Sequence, residues 1–319
     1  MISFNDLLKP YSLNDFLADF WERRPVCLPC EADGATRFSD FPNLEQLPQL
    51  LAGNYIAGQW NGGPSHASAS ILDKNGVACG LGQVPRGMFE QLYNAGVSLC
   101  LGPMNYYNKN LKAFVDSVKK GTCITGDIGM TCYVTPPGSG SPMHFDCQNV
   151  FFCQVSGTKH WKYSVLPATE YPPVNLVPKF PDFRPTMAAL NEVGINVAPP
   201  EECEFTEVTL HPGDVLYLPP GVWHEPRTSD DHSLHYTLTF VPFGFLHLLI
   251  PWMRLLMLKN PEWRKELRFL DTHADTGKLT TFLRSRIEEL QASVRELDSN
   301  VLLAQCQNSS INSFTNSLR

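Results

Sequence analysis

This chain of 319 residues has no basic excess, no membrane-length apolar run and no repeated cysteine pair, and each absence removes a class of function. Its formal charge is −7, from 25 Lys and Arg against 32 Asp and Glu. That balance excludes a general affinity for nucleic-acid phosphates and suits a basic protein or peptide partner better. The longest apolar stretch, near Phe245 to Leu258, is too short to span a bilayer and carries Arg254, so no membrane segment is expected. The opening MISFNDLLKPYSL has no basic region leading into an apolar one, which predicts no secretory signal and a cytoplasmic location. Ten cysteines are present, but scattered through apolar runs, as reduced buried thiols are. Cys27 and Cys30 form a lone C-x-x-C without a second pair, and neither zinc nor redox chemistry is assigned to it. With 43% hydrophobic and 18% charged residues, the chain has the composition of a compact protein with a sizeable core.

The pattern of the chain changes three times. Residues 1–120 read as a mixed α/β lead-in: Ser12 can cap a helix through Phe16 and Phe20 that Pro25 stops, Val97 to Leu101 reads as a buried strand, and Asn108 to Lys120 as an amphipathic helix. Residues 121–244 turn to short β segments separated by Gly/Pro turns, at 131–135, 150–155, 160–165, 205–210, 215–218 and 234–241, which predicts a sandwich or barrel. An insertion at 170–204 interrupts them, where seven prolines between Pro172 and Pro200 forbid a central strand or a long helix. Residues 245–306 read as helical, with Leu283, Ile287, Leu290, Val294, Leu297 and Val301 in steps of four and three. That seam suits a homodimer about as well as packing on its own domain. The tail, 307–319, should be loose.

Chemistry concentrates in the β-rich region. His144 and Asp146 are two residues apart, so on an extended strand both side chains face the same way and can share a metal. A third candidate, His224, follows His211-Pro212-Gly213-Asp214, a short strand and a Pro219-Pro220-Gly221 turn. Two histidines and one carboxylate occupy one face of an octahedral Fe(II), leaving three positions for a bidentate cosubstrate and O2. Zinc prefers a tetrahedral site and calcium prefers oxygen ligands, so iron leads. Taken alone, H-x-D with a distant histidine arises readily by chance in a chain with nine histidines. Lys159 adds weight: a barrel can bring its ammonium beside the metal, where burial would demand an anion such as the far carboxylate of 2-oxoglutarate, whereas on a turn it would be a surface group. Thr131 and Thr239, on strands entering the same barrel, are candidates to complete that carboxylate pocket, and are equally at home as ordinary strand residues. The remaining histidines suit structural or surface roles better than ligation, and of these only His235 stays open to a role at the site.

Three motifs in order, Thr131 to Asp146, Val150 to Trp161 and Leu210 to His224, closely resemble the cupin-like JmjC hydroxylases, with the ribosomal oxygenases as the nearest subgroup. The segment from Phe16 to Pro25 resembles that subgroup's entry segment, and the likeness covers about residues 14–245. The resemblance implies a double-stranded β-helix, or jelly roll, flanked by helices, with the iron triad at His144, Asp146 and His224 and the cosubstrate lysine at Lys159. The family often carries Asn at the position of Thr131 and Ser or Asn at that of Thr239, and its loop before the first histidine is one residue longer. The activity implied is dioxygenase chemistry with Fe(II), 2-oxoglutarate and O2 on a side chain of a protein or peptide, ribosomal proteins included, with succinate and CO2 as coproducts. A free amino acid or other small metabolite is the alternative substrate, loss of an N-methyl group the alternative outcome, and a non-catalytic jelly-roll module the alternative role.

Overall fold

The computed structural model describes residues 2–30, 37–48, 66–72, 78–85, 88–122, 124, 126–178, 186–229, 231–265, 276–295 and 298–300. Its strands are β1 (Val26–Leu28), β2 (His66–Leu72), β3 (Ala78–Pro85), β4 (Ser98–Leu101), β5 (Ile128–Thr135), β6 (Asn149–Gly157), β7 (Lys159–Ser164), β8 (Phe205–Leu210), β9 (Val215–Leu218), β10 (His224–Arg227) and β11 (Ser233–Phe240). The helices are α1 (Phe4–Leu8), α2 (Leu13–Asp19), α3 (Phe89–Asn94), α4 (Lys109–Thr122), α5 (Met187–Glu192), α6 (Phe245–Lys259) and α7 (Thr276–Arg295). The chain divides into two compact units, residues 1–242 and 243–319.

In the first unit the strands form a large antiparallel sheet, in the order β1-β9-β6-β11-β5-β4-β2-β3, and a small one, β10-β7-β8. This is the mainly β jelly roll with flanking helices that the family resemblance implies. The lead-in adds strands to the barrel: β1 extends one edge of the large sheet and β4, β2 and β3 the other. The hairpin of β2 and β3, HASASIL and ACGLGQVP, has too little apolar alternation to be read from sequence. β10 carries no strand signal either: it is four residues long and contains Pro226.

Period-two alternation sorts the side chains of the large sheet. Met130, Cys132 and Val134 of β5, Phe151 and Cys153 of β6, and Leu234, Tyr236, Leu238 and Phe240 of β11 all turn to one core. That core is closed by Phe4, Leu7 and Leu8 of α1, Phe16 of α2, and Leu111, Phe114, Val115 and Val118 of α4. Ser3 and Ser12 cap α1 and α2, each accepting from the backbone N–H three residues on. The opposite face of β6 and β9 (Val150, Phe152, Leu216, Leu218) packs on Trp161 and Tyr163 of β7 and Leu210 of β8, binding the two sheets together. A third cluster, Phe145, Leu176, Leu190, Val197 and Trp223, seats the insertion beside the small sheet. Within the insertion the described residues form α5 and a 3-10 turn at Pro200–Glu202; Pro181 and Pro185 lie outside the described residues.

The second unit contains α6, a 3-10 turn at Pro261–Arg264 and α7. Asn260 Nδ2 donates to Glu289 Oε1 at 2.7 Å, tying the turn to α7. Leu283, Ile287 and Val294 are exposed and Leu290 half-buried. Leu297, Val301 and the tail fall outside the described residues. No helix among the described residues is long and apolar enough to cross a membrane.

Candidate metal centre

Two main-chain bonds place the histidines. His144 N–H donates to His224 O at 3.0 Å and His224 N–H to His144 O at 2.7 Å, a reciprocal bridge that adds the segment before Asp146 to the edge of the small sheet. The rings come to 4.1 Å between centroids. The turn before His224 is fixed by Gly221, which has φ +82 and whose N–H donates to Asp146 O at 2.8 Å. A Cβ at Gly221 would meet Thr169 O at 2.4 Å, so only glycine serves here. Upstream, Asp214 accepts from the N–H groups of His211 and Cys30, both at 2.8 Å, and so locks the Pro212-Gly213 turn that opens β9.

Each imidazole is oriented by a carbonyl two residues earlier: His144 Nδ1 lies 2.7 Å from Pro142 O and His224 Nδ1 2.9 Å from Val222 O. A carbonyl can only accept, so each Nδ1 carries a proton and each Nε2 is the atom left for a ligand role. One donor atom each from His144, Asp146 and His224 lies within 4.8 Å of the others. His224 Nε2 is 3.7 Å from Asp146 Oδ2. His224 is 2% exposed, and burial, reinforced by His144, holds it well below the usual histidine range, in the neutral form a metal needs. Two imidazole nitrogens and one carboxylate brought this close together match the donor set of a facial-triad Fe(II) site.

The three residues open onto a cavity of about 210 Å3 between the two sheets. Its walls include Phe152 and Trp161, and Tyr133, His235, Thr237 and Thr239 from β5 and β11. Lys159, at the start of β7, crosses from the small sheet to the large one, where its Nζ donates to Thr135 Oγ1 at 2.8 Å. It is 2% exposed, and burial lowers its ammonium from 10.5 to about 7. Among the described residues no carboxylate pairs with it. An ammonium buried without a counter-ion beside a cavity calls for an anion inside that cavity.

The family model for the JmjC domain matches residues 109–246. This segment is a JmjC domain. Among curated relatives, the bifunctional lysine-specific demethylase and histidyl-hydroxylase NO66 of Culex quinquefasciatus is 28% identical over 232 residues, covering 72% of this chain and 32% of that protein. Ribosomal oxygenase 2 of Mus musculus is 24% identical over 320 residues, covering 93% and 62%. The chain thus spans about a third of the length of the NO66 relatives it matches. The solved structure of the Escherichia coli ribosomal oxygenase YcfD in complex with cobalt and 2-oxoglutarate is similar in fold, with TM-score 0.55 at 17% identity over 93% of this chain and 70% of that one.

Within the JmjC domain the structure brings His144, Asp146, His224, Lys159 and Thr239 to one cavity. Thr131 is not on its lining; it sits on the same strand face as Tyr133, two residues further from Thr135, and a Cβ at Gly102 would lie 2.8 Å from its Oγ1. The hydroxyl that meets Lys159 is that of Thr135, which sequence reasoning passes over. Its signal is present all the same: Thr131, Tyr133 and Thr135 alternate, so any argument that places one on the inner face places all three. Gln148 and Asn175, two carboxamides on the lining, also escape the sequence. Asn175 Oδ1 accepts from Cys147 N–H at 2.8 Å, which ties the insertion to the residue after Asp146.

Proposed function

We propose that this protein is an Fe(II)- and 2-oxoglutarate-dependent dioxygenase that hydroxylates a side chain of a protein or peptide. The observation that carries this reading is a single cavity bordered by a facial donor triad and by a buried lysine without a counter-ion among the described residues. Iron would be held by His144 Nε2, His224 Nε2 and an Asp146 oxygen. With O2 and 2-oxoglutarate it would supply the oxidising power that converts an unreactive C–H to C–OH as the cosubstrate becomes succinate and CO2. The rest is the work of the chain. Lys159, its Nζ held by Thr135, anchors the far carboxylate of the cosubstrate, so that its 2-oxo end faces the triad. Phe152, Trp161 and Tyr133 line the space and keep water out of it.

Among the described residues, Asp146 is the only acidic one on the lining. A substrate cation would therefore find no spare carboxylate there, which favours hydroxylation of an uncharged side chain over removal of a methyl group from a lysine. The names of the relatives, histidyl-hydroxylase and ribosomal oxygenase, support a protein substrate, ribosomal proteins included. The described cysteines are all free thiols, in keeping with a reducing compartment such as the cytoplasm. The exposed seam of α7 is offered as a homodimer contact, and light scattering on wild type and Leu290→Asp tests it: one monomeric mass for both ends that reading.

The deciding experiment is an anaerobic titration of Fe(II) and 2-oxoglutarate into the metal-free protein, following the visible charge-transfer band of a chelated facial-triad site, and then turnover to succinate in air. A band in wild type that His144→Ala removes supports the oxygenase. No band and no metal binding in wild type would leave a non-catalytic module.

A further inference from the structure

We infer that His235 is a second anchor for the far carboxylate of the cosubstrate, donating from its imidazole to the same group that Lys159 holds. The inference rests on the dioxygenase reading and deepens it. His235 lies on β11 directly opposite Tyr133 of β5, stacked flat on that ring at 5.0 Å with an interplanar angle of 2°. Phe152 and Trp161 meet it edge-on, at 5.8 and 5.7 Å between centroids. Three aromatic rings thus fix the plane of the imidazole, and the residue is 2% exposed.

A histidine so enclosed would ordinarily have its nitrogens bonded. Here Nδ1 is sealed off with no partner, and no hydrogen bond to Nε2 occurs among the described residues. The residue nonetheless lines the cavity. Because Nδ1 is sealed, Nε2 is the nitrogen left for a ligand; Trp161 Nε1 and Thr237 Oγ1 on the same lining are unbonded as well, and an unpaired polar group on a cavity wall marks a place for a ligand atom. The location says which atom. Lys159 Nζ stands 5.9 Å from the Trp161 ring centre, close to the 5.7 Å of the His235 ring. Thr135, the partner of Lys159, pairs with Ser233, two residues before His235 on the same strand face. His235 therefore flanks the Lys159 end of the cavity, where the proposed function places the far carboxylate. Burial and the nearby Lys159 charge both keep the imidazole neutral, so it presents one N–H donor and adds no second buried cation.

The test compares two probes on the full chain loaded anaerobically with Fe(II): 2-oxoglutarate, and 2-oxobutanoate, which has the 2-oxo acid end and lacks the far carboxylate. Binding is read by calorimetry and by the charge-transfer band, and folding by the thermal midpoint. His235→Leu is expected to weaken 2-oxoglutarate roughly 10- to 100-fold, as for loss of a hydrogen bond to a charged group, with 2-oxobutanoate within about twofold of wild type. His235→Gln, whose amide nitrogen reaches about as far as Nε2, is expected to restore most of the loss. Equal weakening of both probes, or a 2-oxoglutarate affinity unchanged in His235→Leu, overturns the inference while leaving the dioxygenase reading intact. Failure of wild type to bind 2-oxoglutarate at all overturns both.

Discussion

The two faces of β11 differ by one residue step and share almost nothing. Leu234, Tyr236, Leu238 and Phe240 point into the apolar core beneath α1, α2 and α4, whereas Ser233, His235, Thr237 and Thr239 point between the sheets. β5 repeats the contrast, with Met130, Cys132 and Val134 against Thr131, Tyr133 and Thr135. Neighbouring β6 and β9 do not: both of their faces carry apolar residues, and Phe152 is the one that reaches the cavity alongside Val150. The lesson is one of economy in a pleated strand. The outer face stabilises the sheet, and this frees the inner face of β5 and β11 to hold groups that no stable core would choose, among them the sealed, unbonded Thr237 Oγ1 and His235 Nδ1.

This division can be broken by experiment. The largest effect is expected at the triad: His144→Ala should reduce cosubstrate turnover to background while leaving the thermal midpoint of the metal-free protein close to wild type, and a large drop in the midpoint would mean that the triad also holds the fold. Next comes the outer face. Phe151, packed against Phe4, Phe16, Tyr217 and Phe240, should cost about 3–5 kcal/mol as Phe151→Ala in a denaturation series. The surviving folded protein should bind 2-oxoglutarate normally, and a matching loss of affinity would collapse the distinction between faces. Lys159→Met reverses the pattern, weakening 2-oxoglutarate roughly 100-fold in calorimetry and stabilising the unliganded protein, because it removes a buried charge without a partner.

The smallest effect is a pH dependence whose sign follows from Lys159. Its ammonium falls from 10.5 to about 7 on folding. In the window between these values the unfolded chain holds a proton that the folded, unliganded protein has released, so stability relative to Lys159→Met rises with pH across that window, and the full burden of the buried charge is felt below it. A bound dicarboxylate restores the charge and binds with uptake of a proton. Affinity should therefore fall as pH climbs above neutrality, by up to about tenfold per unit, and a flat profile in wild type would sever Lys159 from cosubstrate binding.

Much of this is legible in the sequence because the relevant signals are local. His144 and Asp146 share a face through nothing more than their spacing on extended backbone, and β8 and β9 fall on the residues that their alternation and bounding turns indicate. Ser12 caps α2 as its position before Leu13 suggests. What escapes depends on partners distant in sequence. Thr135 matters only because Lys159 reaches it across the gap between the sheets, 24 residues away in the chain, and the choice of Thr131 follows from its place on a strand entering the barrel, without knowledge of that crossing. β2 and β3 escape for another reason: strands of Ala, Ser and Gly carry no hydrophobic period to read.

The reciprocal main-chain bridge between His144 and His224 bears on how the protein would handle its metal. The two nitrogen donors are brought together by backbone pairing, and each ring is aimed by its own carbonyl, so the donor set is assembled without help from an ion. Chelation should then strip the protein without unfolding it, and the stripped form should accept cobalt or nickel more tightly than iron and manganese more weakly. Which ion occupies the site in a cell would be decided by supply, so a preparation loaded with the wrong one would look folded, bind 2-oxoglutarate and do nothing.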